Sequence, residues 1–465
     1  MKHVHRRVVD GPRQGRRQRV ASTDARAAGG RPVSFSESPD GTSSAPAGRP
    51  RIDNDGPGTT RDHSSSSPAP EPTRFAGIDV GSETHVVAIL NKEGGILLKP
   101  TPIGEDAAGY EKLFILLGEV TDILVAMEAT GHYSRNLFAA LTRRGFRVAV
   151  VNALRTHRFA EEDLARAKTD AIDALGIARF AAQKRPRATP ALDEAGEELR
   201  ELVALYARLT QDQGDRVRQL HRLTDLCFPE FTRYVRTLDS QLAAAILREY
   251  PAAKAFDESC LKSLAELRYD GRHRVGAELA HRLIAGAKAS AAQHHGQVYA
   301  AEVRYICDDI AVLRGRLGSL VAEIQARVAR HSLASLLTTI EGLGPLSAAR
   351  IIASVGDPAR FRHGAAFAAY VGVVPRTNRS GLRRPAHGVL SPLGSARLRS
   401  ALYMTTLGAV RSNPWLRAFY ERLRTKGKLP KVALIAAERK LLVAVYSVAK
   451  SRRPFVARLP STPEE

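Results

Sequence analysis

From Phe75 onward the sequence alternates short apolar runs with helix-patterned stretches, and this alternation restricts the fold more than any other feature. FAGIDVGSETHVVAIL reads as a strand, a tight glycine turn and a second strand. DILVAMEATG reads as a buried strand from Ile123 to Met127 ending at a carboxylate. SRNLFAALTRRG reads as a helix, FRVAVVNA as another strand, and RFAEEDLARAKTDAIDALGIARFAAQ as one helical stretch. Strands alternating with helices pack as an α/β domain, here with a mixed sheet. From about residue 192 the strand pattern stops. Leu199, Leu202, Tyr206, Leu209, Leu220 and Leu223 follow a three-four spacing interrupted at Gln213 and Arg216, and Ile310, Leu313, Leu317, Leu320, Ile324 and Val328 form a second such run. These seams fit an antiparallel coiled-coil pair bracketing a helical insert at 229–300, and equally the core of an ordinary helical bundle. A third region, 334–455, opens with LTTIEGLGPLSAARIIASVGD, crosses a Gly-, Pro- and Arg-rich stretch and ends in basic helices such as ALIAAERKLLVAVYSVAK. The expected class is α/β plus all-α.

Residues 1–73 are rich in Arg, Gly, Ser, Pro and Asp and hold neither the strand nor the helix period. Such a segment buries too little apolar surface to offset its ordering entropy, so a disordered basic tail is expected. It reads either as an arm touching nucleic acid or as a dispensable extension. The formal net charge of +22 points to an anionic partner, and nucleic acid, whose phosphates exchange counterions for Lys and Arg, is the usual one. Cys227, Cys260 and Cys307 are far apart and odd in number, which supports neither a zinc ribbon nor a disulfide framework and fits a reducing cytoplasm. No apolar run reaches the ~18 residues of a membrane span, and the basic N-terminus lacks the apolar stretch of a secretory signal.

Four carboxylates stand out: Asp79 inside the apolar run GIDVG, Glu128 at the end of another, and Asp170 and Asp173 three apart in AKTDAIDA. A charge within an apolar strand is unfavourable without partners, and a spacing of three puts two helix residues on one face. Singly, each has a plainer reading: Asp79 as a turn or edge residue beside Gly81, Glu128 as a helix cap, Asp170 and Asp173 as a solvated face. Together, acids from two strands and a helix can converge at one end of a sheet. Close carboxylates repel unless a cation lies between them, and hard oxygen donors suit Mg²⁺, with Mn²⁺ as the alternative. Two such ions about 4 Å apart would serve phosphoryl transfer.

GIDVGSETHVVAIL, MEATGHYSRNLFAAL and AKTDAIDALGIARFA, in this order, resemble the DEDD transposases of bacterial insertion sequences, the class numbered one-ten, and the related Piv-type DNA invertases. The resemblance implies a RuvC/RNase H-like first domain with Asp79, Glu128, Asp170 and Asp173 as its catalytic, metal-binding acids. His132 and Tyr133 would line the same pocket and Lys168 would meet phosphate; each also fits a loop or surface position. In NALRTHRFA, Ala153 stands where the family usually has Pro, which bears on the local turn.

IEGLGPLSAARII has the shape of a helix-hairpin-helix, with Gly342 and Gly344 letting backbone approach phosphate and a helix beginning near Pro345. Short glycine turns between helices are common, so its place in the same family's order carries this assignment. The stretch FAAYVGVVPRTNRSGLRRPAHGVLSPLGSARLRSALY also resembles the family, matching Pro375, Ser380, Gly381, Gly394, Leu398 and Arg399. The resemblance makes Ser380 a nucleophile that forms a phosphoserine link to DNA. Arg376, Arg379, Arg383 and Arg384 flank it, and Arg399 follows; guanidinium forks suit phosphate oxygens. No His-Asp relay is evident beside Ser380; His387 reads as a surface or phosphate contact, and Ser391 and Ser395 match no nucleophile position.

The expected organisation is a tail at 1–73, a RuvC-like catalytic domain at 74–191, a helical coiled-coil domain at 192–332, a mainly helical C-terminal transposase domain at 333–456 and a flexible end at 457–465. The resemblance covers about 75–455. It implies a cytoplasmic, nucleoid-associated insertion-sequence transposase acting on DNA ends and target, a guide RNA encoded by its element, and a homo-oligomer, dimer or tetramer. Two readings compete: a RuvC-like nuclease that hydrolyses branched DNA with water and has no use for Ser380, and a nucleic-acid-binding protein whose catalysis has decayed.

Overall fold

The computed structural model describes residues 71–129, 131–162, 169–374 and 394–457. The N-terminal part is a five-stranded mixed sheet of β1 (Arg74–Asp79), β2 (Thr84–Asn91), β3 (Ile96–Gly104), β4 (Ile123–Glu128) and β5 (Arg147–Val151), in the order β3-β2-β1-β4-β5. β1 runs antiparallel to β2 and parallel to β4, and β4 parallel to β5. Helices α1 (Ala107–Leu117) and α2 (Ser134–Arg143) connect strands. Ala76, Ile78, Val87, Ile89, Val125 and Met127 share a buried core with Leu113, Leu117, Leu137 and Leu141 of these helices. The opposite face carries Phe75, Leu124, Ala126 and Ala149, which pack with Phe159, Ile177, Phe180 and Ala181 of α3 (Ala153–Glu162) and α4 (Asp170–Lys184). Side chains alternate across a strand, so successive residues of β1 serve two different cores.

The sequence pattern omitted two elements, β3 and α1. β3 is largely exposed, so little period-two alternation marks it. The single helix expected over 158–183 is not continuous: Thr169 is extended and caps a new helix at Asp170, its hydroxyl accepting from Ile172 N at 3.3 Å. A Thr at an N-cap satisfies an orphan amide that an uninterrupted helix would not leave. Ala153 starts α3 in place of the family's proline, with the Asn152 side chain accepting from Leu154 N at 2.9 Å.

Beyond β5 the described residues contain no further strand. α5 (Glu194–Cys227) and α10 (Gln297–Arg330), each 34 residues long, pair antiparallel. Arg222 meets Glu302 at 2.9 Å, Arg216 meets Asp309 at 3.0 Å, and Arg327 pairs with Glu198. Between them lie α6 (Phe231–Tyr234), α7 (Gln241–Glu249), α8 (Leu261–Glu266) and α9 (Ala277–Lys288). The pair serves two cores. Leu220, Leu223, Ile306 and Ile310 close over the insert with Phe228, Phe231 and Leu283. Leu199, Leu320, Ile324 and Val328 join the C-terminal core instead. Gln213 and Arg216 fall between these two patches, which explains the break in the heptad-like run.

The C-terminal part is built from α11 (Ser332–Leu337), α12 (Pro345–Val355), α13 (Gly364–Val371), α14 (Ala396–Ser412), α15 (Pro414–Thr425) and α16 (Pro430–Ser451). α16 is the central element of its core: Ala437, Leu441, Leu442, Val445 and Val448 pack with Phe367, Leu398, Leu402 and Leu337. Among the described residues no helix is long and apolar enough to cross a membrane.

Candidate active site

The parallel register of β1 and β4 pairs Ile78 with Met127, so the residues that follow, Asp79 and Glu128, emerge side by side where the two strands end. Ile78 and Met127 point into the α1/α2 core, so alternation turns Asp79 and Glu128 toward α4. Gly77 fixes how near that helix comes. A Cβ on Gly77 would stand 2.2 Å from the Ala178 nitrogen and 2.3 Å from the Ala174 oxygen, both backbone atoms, so α4 lies directly against the β1 main chain. Asp170 and Asp173 occupy the first turn of α4. Acids there also complement the positive end of the helix dipole.

All three partner carboxylates act on Asp79. Its pKa rises from 3.8 to about 6, first because burial disfavours the charged form, then through repulsion from Asp173, Asp170 and Glu128; a hydrogen bond with the Val80 backbone opposes the rise. The four acids named from sequence thus converge electrostatically at one end of the sheet. Asp79, Glu128 and Asp173 are half-buried and Asp170 is exposed, so the cluster opens to solvent on the side of the α4 N-terminus. Thr156 of α3, itself buried, shares its one hydroxyl proton between Glu128 Oε2 at 3.1 Å and the Ala153 carbonyl oxygen at 2.9 Å. Thr156 was not legible as a site residue, because a lone Thr in a helix carries no pattern.

A set of hard, mutually repelling oxygen donors matches the chemistry of a divalent cation. Among the described residues, however, no three His, Cys, Asp or Glu side chains already stand in ligating geometry. The donor types fit such an ion.

His132 and Tyr133 lie exposed in the loop between Glu128 and α2, their rings 4.1 Å apart. Lys168 falls outside the described residues, as do Pro375, Arg376, Arg379, Ser380, Gly381, Arg383, Arg384, His387 and Ser391. The ends of that segment are nevertheless placed. Gly394 has φ +100°, and a Cβ there would lie 2.7 Å from the Val371 carbonyl oxygen and 2.8 Å from the Gly372 nitrogen, so the chain returns at 394 to the point where α13 ends. Ser395 then caps α14 by accepting from Leu398 N at 3.2 Å, Leu398 is buried in the core, and Arg399 is half-buried one turn into the helix. Gly344 caps α12 with open space around its Cβ position and Pro345, which has no N–H, follows; the Ser347 and Ala348 N–H groups donate to the Gly344 carbonyl oxygen at 3.0 and 3.1 Å. Gly342 is exposed with φ +88°, and Ala409 of α14 lies 2.5 Å from its Cβ position, so its missing side chain admits a neighbouring helix.

Comparison with known proteins decides the assignment. The model of the DEDD transposase family of IS110 matches residues 76–229, and that of the IS116/IS110/IS902 transposase family matches 334–421; together they span more than half of the chain in the expected order. The chain belongs to the IS110-type DEDD transposases. It is therefore a DNA transposase or recombinase, a DNA-binding enzyme of a class that depends on a divalent metal. It is 29% identical over 378 residues to the Streptomyces coelicolor mini-circle putative transposase for IS117, covering 76% of this chain and 88% of that one. It is 26% identical to the IS110 insertion-element protein of the same organism, over 83% of this chain and 96% of that one. A pilin gene-inverting protein of Moraxella lacunata is 35% identical over 127 residues, 27% of this chain and 39% of its own.

Proposed function

We propose that this transposase cuts and rejoins DNA in two phosphoryl transfers through a covalent link to Ser380, assisted by a divalent metal held by Asp79, Glu128, Asp170 and Asp173 in a RuvC-like domain. The observation that carries this reading is the raised pKa of Asp79 at the end of β1, caused first by burial and then by Asp173 and Asp170 of α4 and Glu128 of β4. A divalent ion of Mg²⁺ type, when bound, would neutralise the phosphate charge and lower the pKa of an attacking hydroxyl. The chain's own part is to hold four carboxylates together, with the Thr156 hydroxyl beside Glu128.

In the first step the Ser380 oxygen bonds to phosphorus as one P–O bond to deoxyribose breaks, and the serine proton leaves to a base. In the second, a deoxyribose hydroxyl attacks the phosphoserine and releases the serine. The number of phosphodiester bonds is conserved, so no nucleotide is consumed. Arg376, Arg379, Arg383 and Arg384 would neutralise phosphate charge beside Ser380, and Arg399 with the backbone around Gly342 and Gly344 would hold the duplex. Lys168 would meet a further phosphate. The helix-hairpin-helix reading of α11 and α12, the coiled-coil reading of α5 and α10, the domain limits given above, a guide RNA, and a dimer or tetramer belong to the same proposal. The two sequence blocks must meet for the chemistry, within one chain or between subunits.

The deciding experiment is recombination in cells between the element's circular junction and a target plasmid, wild type against Ser380→Ala. Loss in the variant at equal expression, with a trapped protein–DNA adduct in wild type only, supports the serine path. Recombination at wild-type level in Ser380→Ala overturns it in favour of a water-using, RuvC-like nuclease.

A further inference from the structure

Three side chains beside α13 form an exposed stack. Arg360 ends the short turn Pro358–Arg360, Phe361 follows it, and Tyr370 lies in the last turn of α13. The Arg360 guanidinium carbon stands 4.6 Å from the centre of the Phe361 ring and 5.2 Å from that of Tyr370, and the two rings are 5.2 Å apart. Phe361 is anchored in turn by Phe367 of the core, 5.5 Å away. A guanidinium over aromatic faces is held by the ring quadrupoles and gives up none of its in-plane N–H donors to be held.

Those donors are not used within the fold. Among the described residues the Arg360 side chain makes no hydrogen bond and no ion pair. Asp357, three residues earlier, is engaged elsewhere: its carboxylate accepts from the Ala359 N–H at 2.8 Å and from Arg452. Arg360 and Tyr370 are both exposed, Tyr370 with 46% of its surface, so the stack is open to solvent. An unpaired surface arginine ordinarily samples many rotamers, whereas here two rings fix its plane before any ligand arrives. A preorganised fork of this kind suits the oxygens of a phosphodiester, which it meets edge-on through paired N–H groups.

The stack also has a telling place in the chain. Gly372 ends α13 in the left-handed conformation, and a Cβ on Gly394 would lie 2.8 Å from the Tyr370 carbonyl oxygen. Both ends of the segment 375–393, which carries Ser380, thus join the fold next to the turn that bears Tyr370. We propose that Arg360, held flat by Phe361 and Tyr370, contacts a DNA phosphate beside the bond to be cut, the two rings acting as positioning residues. The phosphate contact stands on the geometry of Arg360 itself; its place beside the cut rests on the reading of Ser380 as the nucleophile.

The full-length protein is titrated against a fluorescein-labelled random-sequence duplex across a NaCl series, and its cleavage of element-end DNA is timed at saturating DNA. Arg360→Ala should lower the slope of log affinity against log salt by about one, the signature of one lost phosphate contact, and should slow cleavage. Arg360→Lys keeps the charge but neither the fork nor the stack, so it should retain the slope and still slow cleavage, by up to about a hundredfold. Tyr370→Ala should also slow cleavage, and the double variant should lose no more than Arg360→Ala alone, because the ring acts through Arg360. If Arg360→Ala melts below wild type, Arg360→Met, which keeps an apolar stem over the rings, is measured in its place. An unchanged slope in the uncharged variant overturns the phosphate contact. A lowered slope with cleavage at the wild-type rate overturns its place beside the cut. A further loss in the double variant overturns the positioning role of Tyr370 and makes its ring a contact of its own. Recombination at the wild-type level in Ser380→Ala, with the slope lowered in Arg360→Ala, removes the serine reading and leaves the phosphate contact standing.

Discussion

Adding one methyl group at Gly77 should disable the acidic cluster without touching any acid. The new Cβ would start 2.2 Å from the Ala178 nitrogen and 2.3 Å from the Ala174 oxygen. Carbon contacts relax near 3.5 Å, so α4 must retreat by about 1 Å. Neither obstructing atom is a side chain that can swing aside; both belong to the main chain of a helix whose Ala174, Ile177, Ala178 and Ala181 are all buried. Overpacking of a tight core costs about 1–3 kcal/mol, and a clash with backbone belongs at the upper end, near 3 kcal/mol. The same retreat carries Asp170 and Asp173 away from Asp79, and a displacement of about 1 Å at a catalytic constellation lowers rates about a hundredfold. Gly176→Ala is the internal control. It lies on the same helix with nothing within 4 Å of its Cβ position, so it should gain up to about 1 kcal/mol from helix propensity alone. Urea unfolding followed by circular dichroism gives the stability difference, and strand cleavage of element-end DNA gives the rate. A Gly77→Ala protein with wild-type midpoint and wild-type cleavage would refute the packing argument, because it would mean that α4 does not rest on β1.

Four further outcomes are expected. Asp79→Asn should abolish strand cleavage while DNA binding persists. In wild type the folded Asp79, raised to about 6 from 3.8, holds an extra proton between those values, so stability should fall as pH rises through that window and stay low above it; the Asn variant should lack that part of the slope, on the order of 1 kcal/mol after discounting for screening of a half-exposed group. Cys307, fully buried with its thiol pushed up to about 12, should resist a thiol reagent at pH about 8 until the chain unfolds, and its prompt modification in the native protein would contradict its placement. Arg135→Ala removes the ion pairs from α2 to Glu197 and Glu201 of α5; because all three groups are substantially exposed, the loss should stay within about 1 kcal/mol, and a larger one in urea unfolding would show that this bridge is buried in the working assembly. Deleting residues 1–70 should leave recombination in cells at the wild-type level, and failure of the shortened chain would promote the basic segment to a working arm.

Much of the catalytic domain was legible because its signals are local. Apolar runs that end at Asp79 and Glu128 mark two buried strands with costly charges at their ends, and a spacing of three marks Asp170 and Asp173 as neighbours on a helix. The long helices were equally open to reading, since their three-four periodicity persists for many turns. Other features had no local signature. β3 is exposed and lacks alternation, and the break at Thr169 depends on a cap inside a continuous helical pattern. The division of α5 and α10 between two cores shows in sequence only as a polar gap at Gln213 and Arg216.

Sequence by itself determined which residues can carry the chemistry, because charge type, apolar patterning and motif order are properties of the chain. Tertiary structure decided which of them act on one another. The parallel register of β1 with β4 sets Asp79 beside Glu128, and the missing side chain of Gly77 lets α4 close on the strand that bears Asp79. Gly342 lets Ala409 of α14 pack where a side chain would stand. Glu438, in sequence one acid in a basic helix, becomes a buried carboxylate with an oxygen that has no hydrogen-bond partner. In each case the deciding contact joins residues distant along the chain, and burial gives that contact its energy, which no local pattern encodes.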